Sequence, residues 1–230
     1  MVFWHIGIEQ GLRLKWKPLP ASPAVYCGNK IDFKKELKEL YAPSAKEIST
    51  VKIPKINFLS IDGKGDPNIS KEYQEAIEAL YPVAYKIKFT AKKELGKDYA
   101  VMPLEGLWWA KDMSKFSLED KSTWLWKAMI MQPEFITQKI YQKAVEEVKA
   151  KKNLPGLNRI KFETLEEGLS AQILYIGPYA DEKPTIDRIH NFIKEQGCSI
   201  TQKHHEIYLS DPRKTAPDKL KTVIRQPFKK

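Results

Sequence analysis

The chain has 230 residues, of which 42% are apolar and 11% aromatic, a composition that supports a hydrophobic core and excludes wholesale disorder. Its formal charge is +10, but the lysines are scattered over solvated helix faces and form no arginine-rich cluster, so we do not expect nucleic acid as a partner. Cys27 and Cys198 are far apart, no apolar run approaches the ~20 residues that span a membrane, and the N-terminus lacks the zones of a signal peptide. We therefore expect a cytoplasmic protein with no membrane partner and no disulfide framework.

The beginning of the chain is irregular. Residues 1–30 carry tryptophans and prolines without a clear period, and we interpret them as a poorly ordered leader. The domain proper begins at residue 31 with a short amphipathic segment that Pro43 ends. Residues 55–61 are largely apolar and lead into Asp-Gly-Lys-Gly-Asp-Pro, which predicts a strand followed by a turn. That turn lacks the Gly-Lys-Ser/Thr ending of a nucleotide loop, so we predict no phosphate site there.

A long helix follows the first strand. Ser70 is a candidate N-cap for a helical pattern over residues 71–91, which Pro82 should kink. Two strands and a long amphipathic helix come next, over residues 99–110, 123–131 and 134–152.

The second half of the chain repeats this order. Its strand, helix, strand and strand are predicted over residues 169–176, 185–196, 203–209 and 220–226. The last strand of each half carries a related heptapeptide, KAMIMQP at 127–133 and KTVIRQP at 221–227, which share Lys, Ile, Gln and Pro. We therefore predict an α+β fold of two pseudo-symmetric strand-helix-strand-strand modules with an antiparallel sheet. Module one covers about 54–133, the helix over 134–152 connects the modules, and module two covers about 159–228.

Three motifs together resemble a known family. They lie at residues 58–67 (FLSIDGKGDP), 104–109 (LEGLWW) and 205–213 (HEIYLSDPR), and the chain is similar to the GyrI-like small-molecule-binding proteins over about 31–228. The resemblance implies two modules related by a pseudo-two-fold axis, with a cleft between them for bulky aromatic, often cationic, ligands. The resemblance also implies an alternative activity, because one subfamily of this family uses an aromatic cage to hydrolyse the cyclopropane of DNA-alkylating natural products.

Glu206 and Tyr208 are the first site candidates, because alternation places both on one face of their strand. A carboxylate that faces an apolar interior is costly unless a cation neutralises it or its pKa rises. We take Glu105 as its pseudo-symmetric partner, so Glu105, Glu206 and Tyr208 are the candidate acid–base residues. The alternative for Glu206 is a surface carboxylate bonded to a neighbouring lysine.

Aromatic side chains are the candidate walls of the cleft, because their faces attract cations and stack on flat ligands. Trp108 and Trp109 are adjacent in the 104–109 strand, so only one of them can share the face of Glu105. For every isolated aromatic residue, packing in the hydrophobic core is the alternative to a place in the ligand cleft. The candidate ligand-binding residues are Tyr85, Trp108, Trp109, Trp126 and Tyr179.

Metal and cofactor chemistry finds no support in the sequence. The adjacent His204 and His205 would point to opposite faces of a strand, and the remaining histidines lack partners at metal spacing. We therefore expect neither a metal nor a cofactor.

Three functional hypotheses remain. The first is binding of bulky aromatic, hydrophobic or cationic small molecules; the second is a hydrolase that opens cyclopropane electrophiles in the same cleft. The third, which only the family name suggests, is a module that modulates a protein partner such as a topoisomerase. The natural ligand and the oligomeric state stay open.

Overall fold

A computed structural model describes residues 30–111 and 120–230, so the proposed leader, except for Lys30, lies outside the described residues. The helices are α1 (Phe33–Glu36), α2 (Lys38–Tyr41), α3 (Lys71–Leu95), α4 (Gln138–Lys149) and α5 (Lys183–Glu195). The strands are β1 (Ser49–Lys64), β2 (Leu104–Trp109), β3 (Leu125–Gln132), β4 (Lys161–Ile176), β5 (Ser199–Ile200), β6 (His204–Tyr208) and β7 (Lys221–Lys229).

The strands form one antiparallel sheet that closes on itself. Their order is β4-β1-β3-β2-β6-β7, β4 also pairs with β7, and the short β5 extends the sheet beyond β7. The elements β1-α3-β2-β3 and β4-α5-β6-β7 are the two predicted modules, and β1 of one pairs with β4 of the other. The predicted α+β fold with its antiparallel sheet is confirmed.

The two joining strands are longer than the sequence indicates. Both β1 and β4 run for 16 residues and pair from Ser49↔Gln172 to Ser60↔Lys161. The sequence prediction starts β4 only at residue 169, because residues 161–168 are rich in charge and resemble a loop. Those charges are tolerated in the strand because neighbouring strands supply partners, such as Asp62 for Lys161 at 2.8 Å.

The helix α3 has the predicted cap at its start. Ser70 Oγ accepts a hydrogen bond from the Tyr73 backbone amide at 3.3 Å, and Gly96 ends the helix in the left-handed conformation at φ 66°. Pro82 lies inside α3, and the helix continues on both sides of it.

The sheet has two faces with different surroundings. On the outer face, side chains of β1 and β3 pack under α3, and those of β4 and β7 pack under α5. The inner face points into the ring, whose interior in a barrel of this size is filled by side chains. Because side chains alternate along a strand, one strand can contribute to both faces. Within residues 30–111 and 120–230, no helix is long and apolar enough to cross a membrane.

Candidate ligand-binding site

Strand β6 places its residues alternately on the two faces of the sheet. His204, Glu206 and Tyr208 lie on the outer face between α3 and α5, whereas His205 and Ile207 lie on the inner face. The predicted alternation of the adjacent histidines is therefore present. The outer face is the candidate ligand site.

A chain of hydrogen bonds connects the outer residues. Trp108 Nε1 donates to Tyr208 Oη at 3.1 Å, and the Tyr208 hydroxyl donates to Glu206 Oε2 at 2.7 Å. The other oxygen of Glu206 lies 3.2 Å from His204 Nε2. Glu206 is thus half-buried and bonded to a tyrosine and a histidine, and not to a surface lysine as the alternative interpretation requires.

Aromatic rings pack around this chain. The Tyr73 ring, from the first turn of α3, lies 4.9 Å from that of Trp126 and 5.8 Å from that of Trp108, measured between centroids. The Tyr179 ring lies 5.5 Å from the Tyr208 ring in an edge-to-face arrangement. Tyr179 is 38% exposed and stands between the cluster and solvent. The rings therefore form one continuous group.

Two glycines make room for the tryptophans. A Cβ added at Gly63 would lie 2.2 Å from the Trp126 ring, and one added at Gly106 would lie 2.8 Å from Trp108 Nε1. Each indole ring therefore packs directly against the backbone of a glycine. The glycines of the 58–67 and 104–109 motifs have a steric function here.

A second carboxyl group, Glu182, lies beside Glu206 at the start of α5. It is only 3% exposed, and burial together with the nearby Glu206 carboxylate raises the pKa of Glu182 to about 9. At neutral pH Glu182 is thus a neutral acid that can donate a proton. Burial, followed by the same two carboxyl groups, raises the pKa of Tyr179 to about 12.

Two buried polar atoms of this site have no hydrogen-bond partner within the described residues. Buried polar groups are normally paired, and an unpaired one costs about 1–3 kcal/mol. Such atoms are available for hydrogen bonds to a bound small molecule. They are His204 Nδ1 and Trp126 Nε1, whereas the Glu182 carboxyl group has the Thr222 hydroxyl as a partner and His190 has Gln226.

Glu105 does not join this site, and its pairing with Glu206 needs correction. Glu105 is opposite Met129, and Glu206 is opposite Ile224. The related heptapeptides align Met129 with Val223, so the counterpart of Glu105 is Ile207, which pairs with Val223. An offset of one residue along a strand moves a side chain to the other face.

Two further candidates also lie elsewhere. Trp109 is on the inner face, where the Lys203 ammonium lies 3.4 Å from its ring centroid. Tyr85 is 49% exposed, about three turns along α3 from Tyr73, and borders a surface groove with Phe89. The candidates that the structure brings together are Trp108, Trp126, Tyr179, Glu206 and Tyr208.

On the inner face, Glu105 belongs to a buried ionic network. It accepts from the Tyr41 hydroxyl at 2.8 Å and lies 2.9 Å from His205 Nε2, while His205 Nδ1 lies 2.9 Å from Glu167. Burial opposes the charge of His205, but Glu167 and Glu105 outweigh it and raise its pKa to about 9. Burial likewise opposes ionisation of Glu167, yet His205 and Arg225 lower its pKa to about 2. His205 and Glu167 are therefore a charged pair inside this network.

Sequence reasoning missed several residues of the outer site. His204 carried a usable signal, because it shares strand parity with Glu206 and Tyr208. Tyr73 carried a weaker one as an aromatic in the first turn of the long helix. Glu182 carried no sequence signal, because it lies in the charged run 181–183. No cluster of His, Cys, Asp or Glu in the described residues has the arrangement of a metal site.

Comparison with solved structures identifies close relatives of this fold. An uncharacterised conserved protein from Listeria innocua is 40% identical with a TM-score of 0.80, and covers 87% of this chain and 100% of its own. A protein described as a hydrolase from Listeria innocua has the same identity and coverage and a TM-score of 0.78. The C-terminal domain of EcmrR shares the fold at 13% identity, a TM-score of 0.50, and coverage of 80% of this chain and 98% of its own.

No curated protein matches the sequence of this chain. The sequence profile of the GyrI-like small-molecule-binding domain matches residues 46–229, which is most of the chain. The predicted resemblance is confirmed, and the chain belongs to the GyrI-like family of small-molecule-binding domains.

Proposed function

We propose that the outer site binds bulky aromatic, hydrophobic or cationic small molecules. The observation that carries this proposal is the group of packed aromatic rings around Glu206 and Glu182, in which buried polar atoms lack partners among the described residues. A flat ligand with a positive charge would stack on the rings and neutralise the carboxyl pair. Membership of a family of small-molecule-binding domains supports the same interpretation.

Charge explains why a cation fits better than a neutral ligand. Burial prevents Glu182 and Glu206 from ionising together, which is the cause of the raised pKa of Glu182. A cation between them would offset that repulsion, and cation–π contact with the indoles or phenols adds about 0.5–2 kcal/mol where water is excluded.

The test is a fluorescence-anisotropy titration with rhodamine 6G, a bulky aromatic cation. We expect saturable binding, and we expect Glu206→Gln to weaken it about tenfold, because a hydrogen bond or contact with a charged group contributes about 1.5–3 kcal/mol. The matched control is Glu166→Gln, which removes an exposed carboxylate from β4. Equal affinity in wild type and Glu206→Gln, together with unchanged affinity in Trp108→Phe, would place the dye elsewhere.

A second candidate function is hydrolysis of strained electrophiles in the same site. Glu182 favours it, because a carboxyl group kept protonated at neutral pH can act as a general acid beside a second carboxyl group. The relatives described as hydrolases at 40% and 38% identity support it as well.

The chemistry balances as addition of one water to a cyclopropane conjugated with a carbonyl group. Glu182 gives its proton to the carbonyl oxygen while the carbon–carbon bond breaks and its electron pair moves into the conjugated system. The water oxygen bonds to the released carbon and passes a proton to Glu206. Proton return from Glu206 to Glu182 restores the starting state.

Turnover distinguishes this function from binding. A spirocyclopropyl cyclohexadienone is incubated with the protein, and the hydrated product is counted by mass spectrometry. Product in molar excess over protein, lost in Glu182→Gln while rhodamine 6G still binds, supports hydrolysis. If product forms no faster with the protein than without it, only the binding function remains.

A further inference from the structure

The inner face of the sheet contains a cavity that the outer site does not use. It has a volume of about 250 Å³, below the ~300–1,000 Å³ typical of pockets for drug-sized ligands, so it suits a smaller molecule. His205 and Arg225, which are both paired with Glu167, are among its lining residues. Its walls are mostly apolar and consist of Ile53, Ile56, Phe58, Leu107, Met129 and Leu165.

One charge at this cavity is left without a counter-ion. Lys127, another lining residue, lies 3.1 Å from Asp62 and is also bonded to Glu163, and Glu166 has Lys55 at 3.9 Å. The Lys203 ammonium, by contrast, lies over the Trp109 ring, with no carboxylate within 4 Å in the part of the chain that the structure describes. The lining of the cavity therefore carries one uncompensated positive charge.

Lys203 is also half-buried. Burial, followed by the positive charge of Lys127, lowers the pKa of Lys203, and the negative charges of Asp62 and Glu163 only partly oppose this. A bound anion would favour the charged form of Lys203.

The backbone beside Lys203 is held in an uncommon conformation. Gln202 has a φ of 54°, a value that non-glycine residues rarely adopt. Its side-chain amide donates to the backbone carbonyls of Glu166 and Glu167, at 3.5 and 3.1 Å, and so fixes this corner against β4. Residues in such conformations persist where surrounding contacts hold them, and they are enriched at ligand sites. Here the contacts position Lys203 at the cavity.

We propose that this inner cavity binds a small amphipathic monoanion, with its carboxylate on Lys203 and its hydrocarbon part among the apolar walls. The site lies on the opposite face of the sheet from the outer site and has the opposite charge preference. It is therefore independent of the proposed function.

The test uses octanoate as the probe, titrated into the full chain by isothermal calorimetry. We expect binding that Lys203→Gln weakens about tenfold or more and that Leu165→Trp, which fills the cavity from a half-exposed position, abolishes. The matched control is Lys219→Gln, which removes an exposed lysine near β7. The neutral analogue 1-octanol should bind at least tenfold more weakly than octanoate.

The proposal would be overturned by no binding of octanoate, by equal loss in Lys219→Gln and Lys203→Gln, or by equal affinity for 1-octanol. Glu206→Gln separates the two sites, because it should weaken rhodamine 6G and leave octanoate unchanged. Loss of octanoate binding in Glu206→Gln would mean that the probe occupies the outer site, and the inner site would be rejected.

Discussion

Replacing Glu182 by glutamine removes a buried acid without changing its size. In the wild-type protein the pKa of this carboxyl group is about 9 in the folded state against a reference value of 4.5. Between these two values the folded state holds a proton that the unfolded state has lost, so wild-type stability falls as pH rises from about 4.5 to about 9. A glutamine amide does not titrate in this range, so the stability of Glu182→Gln does not decrease for this reason as pH rises.

The magnitude follows from the width of the interval. One pKa unit corresponds to 1.36 kcal/mol, so two pH units inside the interval correspond to about 3 kcal/mol. We expect the difference in the free energy of unfolding between Glu182→Gln and wild type to increase by about 3 kcal/mol, in favour of Glu182→Gln, between pH 5 and pH 7. For a chain of this length that gain raises Tm by roughly 6–12 °C. His205 titrates alike in both proteins, so its contribution cancels.

Urea unfolding followed by circular dichroism at pH 5, 6 and 7 measures the difference. Glu166→Gln, on the exposed surface of β4, should show no pH-dependent gain. A difference between Glu182→Gln and wild type that stays constant over this range would refute the reasoning. It would mean that Glu182 is ionised in the folded protein, and the general-acid role would fail with it.

Three further expectations follow from the same contacts. Gly63→Ala should displace the indole of Trp126, lower stability by about 1–3 kcal/mol and shift tryptophan emission to longer wavelength, whereas an unchanged spectrum would contradict the steric argument. His205→Gln should cost about 3–5 kcal/mol in urea unfolding, because it removes the basic partner of the buried Glu105 and leaves Glu167 with Arg225 alone; a loss below 1 kcal/mol would show that His205 is not charged in the folded protein. Binding of rhodamine 6G should release protons from Glu182, seen as a calorimetric enthalpy that depends on buffer at pH 8 in wild type and not in Glu182→Gln.

The arrangement of elements could be predicted because it depends on local patterns. Alternation in the 203–209 segment placed Glu206 and Tyr208 on one face, and the Ser70 cap marked the start of α3. The related heptapeptides indicated two modules. These signals come from residues close together in the chain, which is why one sequence was enough.

The sites depended on contacts that no local pattern encodes. Glu182 looks like a solvated charge until the fold buries it beside Glu206, and the partners of Glu105 come from α2 and β6. The prediction that Glu105 is the pseudo-symmetric partner of Glu206 was wrong by a single position in strand register. Such an offset cannot be read from a repeat in which only some residues match.

Closure of the sheet has a consequence for symmetry. A single strand-helix-strand-strand module would leave two strand edges bare, and two identical copies could close the same ring about a true two-fold axis. In such a homodimer every acidic side chain near the axis would occur twice. The joined chain is free of that constraint, and it carries Leu104 where module two carries Glu206. Covalent linkage thus permits a lopsided distribution of charge that two identical subunits could not produce.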